Sequence, residues 1–140
     1  MQISARNQFA GTVSAVHRGA VNAEVTIAVN AADTVVATIT NGAVDALGLA
    51  VGHAAVAVFK ASSVLLGTGA PARLSARNVF AGRVVSVVEG PVSAEVTLAT
   101  PAGLQVTATV TEVSARTLGL VPGAEAYALV KASSVLVGID

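Results

Sequence analysis

The side chains best suited to hold a charged ligand fall in two short clusters. Ser4 and Arg6 stand two residues apart near the start of the chain, and Lys60 and Ser62 stand two apart further on. On extended backbone, residues two apart project to the same side, so each cluster sets a cation beside a hydroxyl. The guanidinium, the ammonium, the hydroxyls and the N–H groups of Ala61-Ser62-Ser63 all donate hydrogen bonds, and no carboxylate lies nearby in sequence. Donors without acceptors suit an anion that carries no proton. One Arg and one Lys balance a tetrahedral dianion. A few charge-assisted hydrogen bonds, at about 1.5–3 kcal/mol each, would support micromolar binding, near about −8 kcal/mol. This requires that Arg6 and Lys60, far apart in sequence, meet in space.

Both clusters occur twice. Ser75-Ala76-Arg77-Asn78 repeats Ser4-Ala5-Arg6-Asn7, and Lys131-Ala132-Ser133-Ser134-Val135-Leu136 repeats Lys60-Ala61-Ser62-Ser63-Val64-Leu65, each at an offset of 71 residues. The repeat aligns without a gap from Ile3/Leu74 to Gly67/Gly138, with about half of the positions identical. The two copies act as a filter on charge. The only lysines, Lys60 and Lys131, are equivalent; Arg6 matches Arg77, and Glu24 matches Glu95. The other charges are not kept: Arg18 aligns with Glu89, Arg83 with Thr12 and Arg116 with Asp45. His17 aligns with Val88 and His53 with Ala124, which argues against a metal held by side chains. The competing reading of the arginines is an ordinary surface ion pair of Arg6/Arg77 with Glu24/Glu95, which would contribute little. Those glutamates fall on the polar face of a strand and read as solvated or structural.

Strands must position these groups. Val21, Ala23, Val25, Ile27 and Val29 alternate with Asn22, Glu24, Thr26 and Ala28, the period of a half-buried strand; Val92, Ala94, Val96 and Leu98 repeat the inward set. A β-rich run at residues 9–16 is interrupted by Gly11, which marks a bulge or a close backbone approach. Residues 34–40 and 105–111 are β-branched strands, separated from the preceding strands by turns at 30–33 and 101–103. Residues 41–47 lose the alternation and precede Gly48; in the second copy Thr111 or Ser114 caps a short helix that Gly119 closes. Further strands follow at 54–59 and 126–130, and residues 63–66 close the unit. The expectation is an all-β chain with one short helix per repeat: tandem OB-like five-stranded β-barrels. The domains are 1–68 and 72–140, joined by Thr68-Gly69-Ala70-Pro71, a connector too short for independent motion. Phe9 and Phe80 read as core or interface packing.

Composition narrows the function. Hydrophobic residues make up 54% of the 140-residue chain and charged ones 11%, and the apolar share is mostly Ala and Val. Two repeats of this size bury a modest fraction of their surface, so this much apolar side chain predicts an oligomer with extensive interfaces. Zero net charge and four aromatic residues (Phe9, Phe59, Phe80 and Tyr127) oppose nucleic-acid or anionic-membrane binding. The absence of cysteine excludes a disulfide framework and thiolate metal sites. The N-terminus has no apolar signal core, and the longest apolar stretch, residues 47–59, contains His53 and is shorter than the ~18 residues of a membrane helix. A soluble cytoplasmic protein is expected. No Ser/His/acid set is kept in both copies, so an enzyme is not expected.

The Ser-Ala-Arg-Asn opening followed by Phe9 and Gly11, together with the Lys-Ala-Ser-Ser-Val close, resembles the Mop domain of molybdate-binding proteins. Two such domains in tandem resemble a di-Mop molbindin, and the resemblance covers nearly the whole chain. It implies barrels related to the OB fold, homotrimers, and molybdate or tungstate held where Mop domains meet, for intracellular storage and molybdenum homeostasis, with no organic cofactor. It implies ligands Ser4 and Arg6, and Ser75 and Arg77, from one domain, with Lys60, Ala61 and Ser62, and Lys131, Ala132 and Ser133, from the neighbouring domain. Thr40 and Thr111 resemble a further ligand position. A second class of site near a threefold axis maps loosely to the turns at residues 19–22 and 90–93. Storage follows from two further expectations: no room for a DNA-binding region, and no Gly-rich phosphate loop of a transport ATPase. The alternatives are an OB-type module for another oxyanion such as sulfate, or for single-stranded nucleic acid.

Overall fold

The computed structural model of the chain describes residues 1–70 and 73–140. The first repeat runs β1 (Asn7–Arg18), β2 (Asn22–Ala28), β3 (Thr34–Thr40), α1 (Asn41–Leu47), β4 (Ala54–Phe59) and β5 (Leu65–Gly67), with one 3₁₀ turn at Ala61–Ser63. The second runs β6 (Asn78–Glu89), β7 (Ser93–Ala99), β8 (Gln105–Thr111), α2 (Glu112–Thr117), β9 (Glu125–Val130) and β10 (Leu136–Gly138), with its 3₁₀ turn at Ala132–Ser134. The connector read at Thr68 to Pro71 falls partly outside the described residues, at Pro71, as does Ala72, where the second unit was expected to begin.

The strands pair antiparallel into two five-stranded sheets, of order β10-β4-β1-β2-β3 and β5-β9-β6-β7-β8. β10 also lies beside β3, and β5 beside β8, so each sheet curls into a small barrel. This corrects one expectation. Residues 63–66 do not close their own unit: Leu65, Leu66 and Gly67 pair with Leu129, Ala128 and Tyr127 of the second repeat. In return Leu136, Val137 and Gly138 pair with Val58, Ala57 and Val56 of the first. The physical reason is the 3₁₀ turn, which leads the chain across against β8 of the other barrel before β5 begins. The boundaries 1–68 and 72–140 separate the repeats, but each barrel contains residues of both.

Period-two patterning fixes which faces are buried. Ala23, Val25 and Ile27 of β2, and Ala94, Val96 and Leu98 of β7, are buried in one contiguous core with Val13, Val84, Phe59 and Phe80. Phe9 packs edge-on against Phe59, with ring centroids 5.6 Å apart. Val21 and Val92 depart from the pattern: they sit in the turns before β2 and β7 and are 70% and 75% exposed. Once the chain leaves the pleat, alternation no longer dictates direction.

Gly11 marks a close backbone approach, as expected. A Cβ there would stand 2.2 Å from the Ala28 carbonyl oxygen, and at Gly82 only 2.0 Å from that of Ala99. The bulge falls three residues later, between Val13 and Ala15, and recurs between Val84 and Ser86. Thr40 and Thr111 cap the two helices, accepting from the N–H of Ala43 at 3.0 Å and of Ser114 at 3.1 Å. Gly48, with φ of 62°, adopts the left-handed C-cap conformation after α1.

Candidate oxyanion site

The two motifs of each repeat are brought together by the ladder that joins its long first strand to β4 or β9. Asn7 faces Phe59 across β1 and β4, so the next pair outward is Arg6 and Lys60. On the other flank of β4, Leu136 faces Val58, which directs Ser134 towards Lys60. The result is a cavity of about 550 Å³ lined by Ser4, Arg6, Lys60, Ala61 and Ser62, with Thr109 and Ser134 from the second repeat. Arg6 and Lys60, far apart in sequence, line one cavity within a single chain. The second copy has the same framework: Asn78 faces Val130, setting Arg77 beside Lys131, and Leu65 faces Leu129, directing Ser63 towards Lys131. Ser75, Ala132 and Ser133 take the matching places in sequence.

Within the single chain the opening and closing motifs of the first repeat line one cavity, and the other repeat supplies Thr109 and Ser134. Ser4, Arg6, Lys60 and Ser62 are exposed, and Ala61 is buried. The 3₁₀ turn takes up the N–H groups of Ser63 and Val64, bonded to the carbonyls of Lys60 and Ala61 at 3.0 and 3.3 Å. The first two N–H groups of such a turn, those of Ala61 and Ser62, have no partner within it. They add to the donors at the cavity.

Sequence distance concealed a carboxylate. Arg6 Nη1 lies 2.5 Å from Glu95 Oε2, and Arg77 Nη1 lies 2.5 Å from Glu24 Oε2. The arginines do pair with the retained glutamates, and each pair crosses between repeats. The glutamates are thus structural partners of the arginines, with each side chain still 32% exposed. Among the described residues neither Lys60 nor Lys131 has a carboxylate within ion-pairing distance.

Sequence reasoning also missed two pairs of residues. Asn7 is fully buried and treats the edge of β8 as a strand partner: its Nδ2 donates to the Thr107 carbonyl, and its Oδ1 accepts from the Thr107 N–H, both at 2.8 Å. Asn78 does the same with Val36, at 2.8 and 2.7 Å. These amides anchor the residue following each arginine to the opposite barrel, which brings Arg6 and Arg77 within reach of Glu95 and Glu24. Thr109, on the cavity wall, is the second miss. The signal was available for both, since Asn7/Asn78 and Thr38/Thr109 are each identical at the 71-residue offset.

Other expected residues lie elsewhere. Thr40 and Thr111 are absent from the cavity lining, and their hydroxyls cap helices. The turns at 19–22 and 90–93 are tied back to the helix starts, through Asn41 N–H to the Val21 carbonyl and Glu112 N–H to the Val92 carbonyl, both at 2.9 Å. Among the described residues no three His, Cys, Asp or Glu side chains gather as a metal ion would require, and no helix is long and apolar enough to cross a membrane.

Comparison with known proteins agrees with this architecture. The TOBE domain model matches residues 3–66 and again 74–137. The chain is 45% identical over 139 residues to the molybdenum transport protein ModE of Azotobacter vinelandii, covering 99% of this chain and 52% of ModE. It is 41% identical over 140 residues to the molybdenum-pterin-binding protein MopA of Rhodobacter capsulatus, covering 99% and 53%. The chain thus spans about half the length of these curated relatives. A crystal structure of the cytoplasmic molybdate-binding protein ModG, with molybdate bound, superposes with a TM-score of 0.95 at 49% identity and full coverage of both chains. The duplicated motifs, the paired barrels and the matched residues agree: this chain belongs to the TOBE domain family, in its tandem, Mop-type form.

Proposed function

We propose that this protein binds molybdate, and with it tungstate, as an intact oxyanion. The ligands are Ser4, Arg6, Lys60, Ala61 and Ser62 in one site, and Ser75, Arg77, Lys131, Ala132 and Ser133 in the other. The observation that carries this reading is the convergence of Arg6 and Lys60 on one cavity with hydroxyl and backbone donors around them. The likeness to ModG over the full chain supports the choice of oxyanion. Thr40 and Thr111 act as helix caps beside this set. The ligand is held and released unchanged, which makes the role one of intracellular storage and molybdenum homeostasis. Where the pair of repeats forms about half of a longer chain, as in ModE, the same sites serve as that protein's oxyanion-binding part.

The working assembly is a homotrimer. Its support is the exposed apolar surface: Val51, Val113, Val121, Leu65 and Leu136, with Val21 and Val92, are more than half exposed in the single chain. Apolar side chains exposed in this number call for a partner.

Calorimetric titration of the dialysed protein with molybdate, tungstate, sulfate and phosphate tests the reading. Molybdate and tungstate should bind in the micromolar range or tighter. Phosphate keeps a proton near neutral pH, and with the Glu95 carboxylate engaged by Arg6 that proton meets few other acceptors, so phosphate should bind weakly. Sulfate has the right charge and differs mainly in size. Equal affinity for sulfate would overturn the molybdate assignment.

A further inference from the structure

We propose that Glu95 and Glu24 are built-in counter-anions: each carboxylate competes with the bound oxyanion for the arginine of the opposite repeat, and so sets how strongly affinity depends on ligand charge. This deepens the proposed function and rests on it.

Three observations converge. Arg6 lines the cavity, and its Nη1 is also 2.5 Å from Glu95 Oε2. Glu95 on β7 faces Thr109 across the β7–β8 ladder, and Thr109 lines the same cavity; residues directly opposite in an antiparallel pair share a face of the sheet. Thirdly, the arrangement is duplicated, with Arg77 2.5 Å from Glu24 and closely matching exposures of 54% and 32%. Glu24 and Glu95 are also the only acidic pair that the duplication retains.

The charge count changes accordingly. Arg6 and Lys60 on the cavity wall contribute two positive charges, and Glu95, which is not itself a lining residue, sets one negative charge against Arg6, so the ligand meets a net charge of +1 rather than +2. A dianion entering it meets two cations and one like charge. The repulsion from Glu95 is proportional to the charge of the ligand, so it opposes a dianion twice as strongly as a monoanion of the same shape. The carboxylate also offers Arg6 an alternative partner, so departure of the ligand does not strand a guanidinium without an acceptor. Lys60 lacks such a partner, and the competition falls on the arginine alone. The glutamates thus favour reversible over permanent capture.

The test is the double variant Glu24→Gln with Glu95→Gln, whose amide oxygens still accept from the arginines while the negative charges are gone. Wild type and variant are titrated with molybdate and with perrhenate, a tetrahedral monoanion of similar size. The variant should bind molybdate on the order of tenfold more tightly and perrhenate by a smaller factor, because freeing the arginine favours both anions alike while the lost repulsion grows with ligand charge. Unchanged or weaker molybdate binding, or equal gains for both anions, would overturn the proposal and leave the glutamates as positioning residues. If wild type binds molybdate and the variant shows no gain, only this proposal fails; if wild type binds no oxyanion, the functional reading fails and takes it along. A measurement on the wild type guards against a variant that does not fold. In a molybdate-bound crystal structure Arg6 Nη1 should lie beyond hydrogen-bond reach of Glu95, and a pair still at 2.5 Å would refute the competition.

Discussion

Lys60 and Lys131 have donors around them and no acid partner, which is what makes them the sharpest probes of the site. Replacing both by alanine should abolish this class of molybdate site in calorimetry while light scattering still reports the wild-type oligomer mass. Asn78 tests a different property of the same motif. Its amide is buried and makes both hydrogen bonds to Val36 that a neighbouring strand would make. Asn78→Ala should lower stability by about 2–5 kcal/mol, since it leaves a buried N–H and a buried carbonyl unpaired; the urea midpoint reads this. The ligand cluster was legible in sequence because cations beside hydroxyls have a recognisable donor chemistry. The asparagine was not, because an Asn after an Arg carries no sign of burial until a second barrel covers it. Glu95 was hidden for a related reason: it lies 89 residues from Arg6, and spacing along the chain says nothing about carboxylates that arrive from another repeat.

At the level of elements, alternation and β-branching located seven strands and the repeat implied β6, while lost alternation and capping residues located both helices, since those signals report local geometry. The two short strands β5 and β10 were anticipated as closing segments, and their partners were assigned to the wrong repeat. A strand of three residues finds the same backbone hydrogen bonds on either of the equivalent β4 and β9 edges, and the direction imposed by the preceding 3₁₀ turn decides between them. Gly82 shows where the local rules are strict. The Ala99 carbonyl approaches so closely that Gly82→Ala would push a Cβ into backbone. We expect a loss of about 1–3 kcal/mol, as for other overpacked positions, read as a lower thermal midpoint, with anion affinity retained because the cavity lies elsewhere.

The whole molecule should unfold as one cooperative unit. Exchanged strands, buried asparagines and reciprocal Arg–Glu pairs all cross between the barrels. Tyr127, the sole tyrosine, belongs to the second barrel, so its fluorescence reports that half while far-ultraviolet circular dichroism reports both. The two signals should give the same denaturation midpoint; a biphasic dichroism curve would mean that the barrels melt separately.

The reciprocal loan of β5 and β10 has a mechanical outcome. Because each half carries the last strand of the other, the covalent connection between them is redundant once folding is complete. A protease that cut after the exposed Arg73 would leave two peptides clasped together, eluting as a single species under native conditions and parting only in denaturant. Neither peptide can depart without tearing a stave from both barrels.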